Sequence, residues 1–331
     1  MWNGLDLQTE YATELGDVSS AFKLLVTNWI NDGLFDIYTR HNWPFARTKA
    51  YKTLTALAEE QTLLLANPTA PTVAVSGIAG TLPTGNYKVA ISYISTTLGI
   101  ETKLGSASDT LAVTLGEQID VTAIPLSTET GITGRRVYLK DITNTEDWFL
   151  HEEIEDNTTL TSTITEDPTT DSSGRRANEW DYFKELDGDP WNESTSNRIF
   201  QNESLREIWR REAGSIPTGT VDSWAAITKT KILVSPDPST AIVMSFYFFR
   251  NPSRIFATRS DVPDMPPNMK IVLDEYIKWR GMRYRERQGY DKQYIAYELA
   301  IKNAISNFGK TGKAVTKVVD VYGDSCGYYF N

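Results

Sequence analysis

One cysteine, two histidines and the lack of any long apolar run set the first limits on this 331-residue chain. Cys326 alone cannot form an internal disulfide, and its solitude favours a reducing compartment during folding. With only His41 and His151 to add to it, a Cys/His zinc site is excluded. The longest apolar stretches, "TLLLAN" and "IVMSFYFF", fall well short of the roughly 20 residues of a membrane helix, so no membrane partner is expected. The start of the chain has no basic segment followed by an apolar stretch and a small-residue cleavage site, so no secretion signal is expected either. Neither a GxxxxGKS/T phosphate loop nor a GxSxG nucleophile elbow occurs. "GKTGK" at 309–313 only echoes the former, and it follows a helical pattern where a phosphate loop would follow a strand. The net charge is −10, so the chain as a whole repels nucleic acid and anionic lipid. No internal repeat is present.

What the chain does have is enough hydrophobic residues, 40% of the total, to furnish cores for two domains. Its style changes twice. Up to about residue 67 the pattern is largely helical. Val18, Phe22, Leu25 and Trp29 recur at 4-3-4 spacing, with Ile30, Leu34 and Ile37 beside them, which predicts one buried helical face. Asp17 or Ser19 can cap this helix, and Pro44 stops it. The segment 50–67 fits either a short helix or a hairpin around "AEEQ". From 68 to 174 threonine, serine, glycine and valine dominate and the period becomes two. Tyr87, Val89, Ile91 and Tyr93 are expected to point in, with Lys88, Ala90, Ser92 and Ile94 out. Further strands are expected at 72–76, 110–115, 118–123, 135–140, 149–154 and 159–164, which amounts to an all-β sandwich. After a polar linker the mixed style returns. A short helix at 204–214 should present Leu205, Ile208 and Trp209 on one side. "KTKILVSPDPSTAIVMSFYFFRNP" reads as two strands joined by a tight turn at "PDPS". Helices are expected at 270–287 and 291–308, with Gly309 and Gly312 releasing a tail. The fold class is therefore α+β: a discontinuous, mainly helical domain with a small β element (1–67 and 175–309), an inserted all-β sandwich (68–174) and an extended tail (310–331).

The search for chemistry finds little. Asp187 and Asp189 in "LDGDP" could hold calcium or serve as a hydrolase pair, but the composition is that of a polar turn. Glu152, Glu153, Glu155 and Asp156 read as a solvated strand face. His41 beside Trp43 could be a general base, or a residue that stacks at a helix end. Lys278, Arg280, Arg283, Arg285 and Arg287 either complement a helix C-terminus and pair with Asp274, Glu275 and Glu286, or face a partner's acidic surface or passing DNA. No catalytic residue, metal site or cofactor is expected.

The order of features in the flanks points further. "NWPF" ends the first helix. "REAGSIPTGTV" and "KILVSPDPSTAIVMSFYFFRNPSRI" follow much later, and "RSDVPDMPPNMKIVLDEYIKWRGMRYRE" opens the C-terminal helices. With Trp43-Pro44, Gly214 and Pro217, Pro236-Asp237-Pro238, and Ser260-Asp261 with Pro263 and Pro266, this resembles the head-to-tail adaptor (connector, head-completion) proteins of tailed bacteriophages. The likeness covers roughly two thirds of the chain. The insert, through "LPTGNYKVAISYISTTLGIET", "ITGRRVYLKD" and "TTLTSTITEDPTTD", resembles the immunoglobulin-like or fibronectin-like modules of phage virion proteins. It departs from one common pattern, having Leu139-Lys140 where an arginine usually follows the tyrosine.

The resemblance implies a structural virion protein at the head–tail junction, made in the host cytoplasm. It would form a homo-oligomeric ring of about twelve copies beneath the portal protein, contact a tail, tail-tube or nozzle protein, and let double-stranded DNA pass without specific binding. Interface residues are then expected at Trp43, Pro44, Phe45, Arg280, Arg283 and Arg287. In the tail they are expected at Val318, Val319, Val321, Tyr328, Tyr329 and Phe330, which would add a strand to a neighbour or fold back on their own domain. The rival readings are a sandwich that binds host glycan or a partner protein, which needs an exposed aromatic row among Tyr87, Tyr93, Tyr138, Trp148 and Phe149, and a tail-associated hydrolase.

Overall fold

The computed structural model describes residues 2–314 apart from 59, 78–79, 130, 146, 169–176, 178–180, 194–197, 214–217 and 256–260. The protein is α+β, and none of its described sheets closes into a barrel. Its contacts divide it into two compact units, Met1–Ala46 with Ala257–Asn331, and Arg47–Phe256. No described helix is long and apolar enough to cross a membrane.

The first unit is helical. Its helices are α1 (Gly4–Glu14), α2 (Ser20–Arg40), α4 (Lys270–Tyr284) and α5 (Tyr290–Ala314), while the short α3 (Leu205–Glu212) belongs to the second unit. Asn3 caps α1 by accepting from the Asp6 N–H, and Ser19 caps α2 by accepting from that of Phe22. Of the predicted α2 face, Phe22, Trp29, Ile30, Leu34 and Ile37 are buried, but Leu25 is only half-buried while the unpredicted Val26 is buried, and Val18 lies before the helix and is exposed. Helices α2 and α4 approach closely at Gly33, where a Cβ would come within 2.7 Å of the Tyr276 ring. Gly281 of α4 gives the same room to Leu15. Polar pairs fix the helices to one another: Gln8 Nε2 to Thr27 Oγ1 at 2.9 Å, Lys270 Nζ to Glu10 at 2.8 Å, Arg280 to Asp32 at 3.1 Å, and Arg40 to Glu298 at 3.0 Å. The Tyr297 hydroxyl also donates to Asp36.

In the second unit, Ile242–Arg250 is the centre of a sheet, with Arg47–Leu54 on one side and Phe183–Asn192 on the other, both antiparallel to it. A second sheet runs in the order Gln201–Asn202, Ser223–Ala226, Lys231–Ser235, Glu60–Thr62. These assignments correct three expectations. The segment after Arg47 is strand, but Arg47–Leu54 and Glu60–Thr62 join different sheets and form no hairpin. Lys231–Ser235 and Ile242–Arg250 likewise do not pair. Ser235–Pro236 is cis, and Asp237–Pro238 pairs with Thr218–Gly219, so the chain changes sheets there. Trp209 is exposed, because the face of the eight-residue α3 that packs on Ala225 and Leu233 carries Ile208 and the partly buried Leu205 only.

Residues 72–164 supply two further sheets. One has the order Ser162–Ile164, Gln118–Thr122, Thr72–Ser76. The other has the order Ile100–Glu101, Gly85–Ser95, Gly134–Asp141, Phe149–Ile154, with Leu111–Val113 also on Gly85–Ser95. Both sheets feed one core: Tyr87, Val89, Ile91, Val137 and Leu139 from the second meet Ile119, Val121 and Ile164 from the first. Alternation fails on the other face of Gly85–Ser95. Ala90, Ser92 and Ile94 are buried, because Tyr138, Trp148, Leu150 and Ala177 form a satellite cluster on that side and Glu101 folds over Ser92.

Two buried polar contacts hold this arrangement. The Glu101 carboxylate, 1% exposed, accepts from Ser92 Oγ at 2.7 Å, the Tyr138 hydroxyl at 2.6 Å and Arg136 Nη1 at 2.6 Å. Burial, and then the Glu101 charge, push the Tyr138 phenol well above its ordinary value, so it stays a donor. Farther along, the Leu65 N–H donates to the Tyr182 hydroxyl oxygen at 2.7 Å, joining the two ends of the long segment between them. Tyr182 itself packs edge-on against Phe248 of the central strand. Glu101→Gln should lower stability by about 3 kcal/mol, since Arg136 then loses its buried counter-charge. Tyr182→Phe should cost about 1–3 kcal/mol, by leaving the Leu65 N–H without a partner. Denaturant titration reads both, and an unchanged midpoint in either variant would contradict its assignment.

Candidate functional site

Helix α2 ends at Arg40, His41 is extended, and Pro44–Ala46 makes one 3₁₀ turn. This turn swings Trp43 back onto its own helix, where Nε1 donates to the Ile37 carbonyl at 2.7 Å and satisfies an end-of-helix acceptor. Trp43 is fully buried. Its ring stacks on Phe45 at 5.7 Å and meets Phe308 of α5 edge-on at 5.4 Å, with the His41 ring at 4.9 Å. Tyr38 completes the corner against Phe45 and donates to the Asp264 carbonyl. Of the three expected interface residues here, then, Trp43 is buried within its own unit, Phe45 is half-buried and Pro44 is exposed.

The basic residues do not form one stripe. Helix α4 stops at Tyr284, three residues short of the expected end, and left-handed backbone at Glu286 and Gly289 turns the chain. Lys278 lies 3.7 Å from Glu275, and Arg280 pairs with Asp32. The guanidinium of Arg283 lies over the Trp279 ring and that of Arg285 over Phe22, as cation–π pairs. Arg287 is exposed in the turn before α5. Trp279, Arg283, Tyr290, Asp291 and Tyr294 line a shallow pocket of about 360 Å³ at this turn. The tail residues Val318, Val319, Val321, Tyr328, Tyr329 and Phe330 lie outside the described residues, as do Gly214, Pro217 and Ser260.

One surface escaped the sequence reading. Between the start of α4 and the second half of α5 runs a groove of about 430 Å³, with Ile271, Val272, Ala296, Leu299, Ala300 and Phe308 as its apolar lining. Ile271 is 61% exposed, Leu299 58% and the nearby Ile295 66%. The spacing of Ile295 and Leu299 beside the buried Tyr297 and Ile301 is the signal that could have found it: α5 is apolar on more of its circumference than α4 covers. Helix α5 also continues through Gly309 and Gly312 to Ala314, past the expected end, since isolated glycines cost a helix only about 1 kcal/mol each.

The carboxylates singled out for chemistry have structural partners. Asp187 and Asp189 sit at a β-bulge within Phe183–Asn192, where a turn between elements was expected. Asp187 binds Arg47, and Asp189 accepts from Trp224 Nε1 at 3.2 Å. Glu153 pairs with Arg136 at 2.8 Å. Asp156 accepts from the Thr158 and Thr159 N–H groups at 2.7 Å each, and these bonds hold its carboxyl well below the usual range. Burial lowers the His151 imidazole, whose Nε2 lies 3.2 Å from the Thr163 carbonyl. Among the described residues no group of three or more His, Cys, Asp or Glu side chains could hold a metal ion.

No known protein-family model matches the chain, and no curated protein matches it in sequence.

Trp43→Ala should destabilise the helical unit by about 3–5 kcal/mol, through the lost ring contacts and the freed Ile37 carbonyl. Trp43→Phe should cost less. Equal midpoints for the wild-type and alanine proteins would show that the corner is not structural.

Proposed function

We propose that this chain is a structural protein of a tailed-phage virion: a head–tail adaptor that forms a ring beneath the portal and continues the DNA channel toward the tail. In this reading 1–67 with 175–309 is the adaptor domain and 68–174 an immunoglobulin-like insert. The portal, a tail or nozzle protein and further copies of the chain are its partners, and it works through surfaces, without catalysis. The observation that carries the reading is that the "NWPF" corner after α2, one of the motifs on which the resemblance rests, packs against Phe308 of α5, so that helices from both flanks share one unit. The exposed Ile271, Ile295 and Leu299 add support, since an apolar helix face on a chain this acidic suits burial against protein more than contact with DNA. The net negative charge suits a channel wall along which DNA slides without being held.

The rival reading, a sandwich that binds glycan or protein through an aromatic row, is weakened by burial. Tyr87, Tyr93, Tyr138 and Phe149 all lie inside, and Trp148 is half-buried.

Light scattering gives the decisive mass. The purified chain alone, and mixed with the portal ring of the same virus, should give a stoichiometric ring complex only in the mixture. No complex at any salt concentration would overturn the adaptor reading.

A further inference from the structure

The turn between α4 and α5 gathers groups that lack partners. Trp279 and Arg283 are four residues apart on α4, and Tyr290 and Tyr294 four apart on α5, so each pair shares a helix face and the two pairs meet across the shallow pocket. Two of the rings are held in place: Trp279 lies 5.0 Å from Tyr294 and meets Tyr276 edge-on at 5.4 Å. Tyr290 is different. It is 40% exposed and has no hydrogen bond or ring contact among the described residues. Lys278 and Arg280 have carboxylate partners, whereas Arg283, Arg287 and Lys292 have none among the described residues. From 278 to 292 there are six Lys or Arg and two Asp or Glu, on a chain whose net charge is −10.

An aromatic pocket with one carboxylate, here Asp291, suits a cation when nothing else fills it. Here the Arg283 guanidinium already lies over Trp279, and Arg287 and Lys292 add positive charge, so the fitting guest is an anion with a flat ring. An acidic protein segment would use the cations, but its carboxylates gain nothing from the free Tyr290 face. An unpaired nucleotide uses both in one unit. We propose that this turn binds single-stranded nucleic acid, with a base stacked on Tyr290 beside the Trp279–Arg283 pair and the adjoining phosphates held by Arg287 and Lys292. Asp291 can accept from a base N–H. The acidic remainder of the chain does not forbid this, since charges beyond about 8–10 Å are screened at physiological salt. Duplex DNA keeps its bases stacked inside and offers the turn only phosphates, so the site responds to strand state and not to sequence. The inference holds whether or not the virion reading does.

Fluorescence anisotropy of a labelled oligothymidylate of about twelve nucleotides tests this on the full chain. At about 50 mM salt the strand should bind, and Tyr290→Ala should weaken it about tenfold or more, while Tyr290→Phe keeps the ring and should bind as the wild type does. Tyr290 is exposed at the first turn of α5, so the alanine variant should keep the wild-type thermal midpoint. Arg287→Ala should lower the slope of log affinity against log salt by about 0.7. A duplex of the same length and a polyglutamate peptide of equal charge should each bind about tenfold more weakly than the single strand. No binding, equal binding by Tyr290→Ala, or an unchanged salt slope in Arg287→Ala overturns the proposal. So does duplex or polyglutamate that binds as tightly as the single strand, and the latter would mark the turn as a docking surface for an acidic protein.

Discussion

One hydrogen bond ties together the chain on either side of residues 66–181: the Leu65 N–H to the Tyr182 hydroxyl oxygen. Between these residues the chain leaves the sheets around Ile242–Arg250, builds two further sheets with a core of their own, and returns. An excursion of that length costs little more closure entropy than a short one, provided its ends meet at a fixed point. Tyr182 supplies that point because its ring is held in place as well as its hydroxyl. It is buried against Phe248, so the closure is tied to the central strand. The far loops add to this. Tyr93, Ile100 and Ile132 pack into the same core as Phe183, Phe246 and Phe248, and Arg250 Nη1 donates to the Gly99 carbonyl at 2.8 Å. These two sheets are therefore seated on the rest of their unit through both apolar and polar contacts.

The helical unit follows a different economy. Its helices come from the two ends of the chain, and each interface combines apolar contact with a specific polar pair. The tryptophan corner plays the part there that Tyr182 plays in the other unit. Trp43 consumes the last turn's carbonyl at Ile37 and places Phe45 and Phe308 together. Phe308 thus has two roles, as a wall of the corner and as one end of the open groove.

Much of this architecture was legible because local signals agreed with the fold. The strands Thr72–Ser76 and Phe149–Ile154 are legible from alternation to the residue, and the cap of α2 was narrowed to Asp17 or Ser19, of which Ser19 is the one used. The failures came where tertiary contact outweighs local pattern. "PDPS" has the composition of a hairpin turn, yet the strands on either side of it belong to different sheets, which sequence spacing cannot reveal. Ser92 and Ala90 look like a solvent face because they are small or polar. They are buried by Glu101 and by a cluster that includes Ala177, more than eighty residues away. Glu101 gave no sign of being the acceptor of three buried donors, since a glutamate beside isoleucine in a short strand reads as surface. The corner was legible only in outline, from "NWPF" as the end of α2. The groove was not, because which apolar residues of α5 stay exposed beside α4 is set by helix packing and not by spacing alone.

If, as proposed, this chain stands at the junction of a phage head and tail, its location in the particle is the most direct test. A cryo-electron microscopy reconstruction of the virion whose genome encodes it, focused on the portal vertex, should show a ring of density below the portal into which the helical unit and the unit 47–256 can each be fitted. A vertex whose density is accounted for by other proteins, with this chain elsewhere or absent from the particle, would contradict the account.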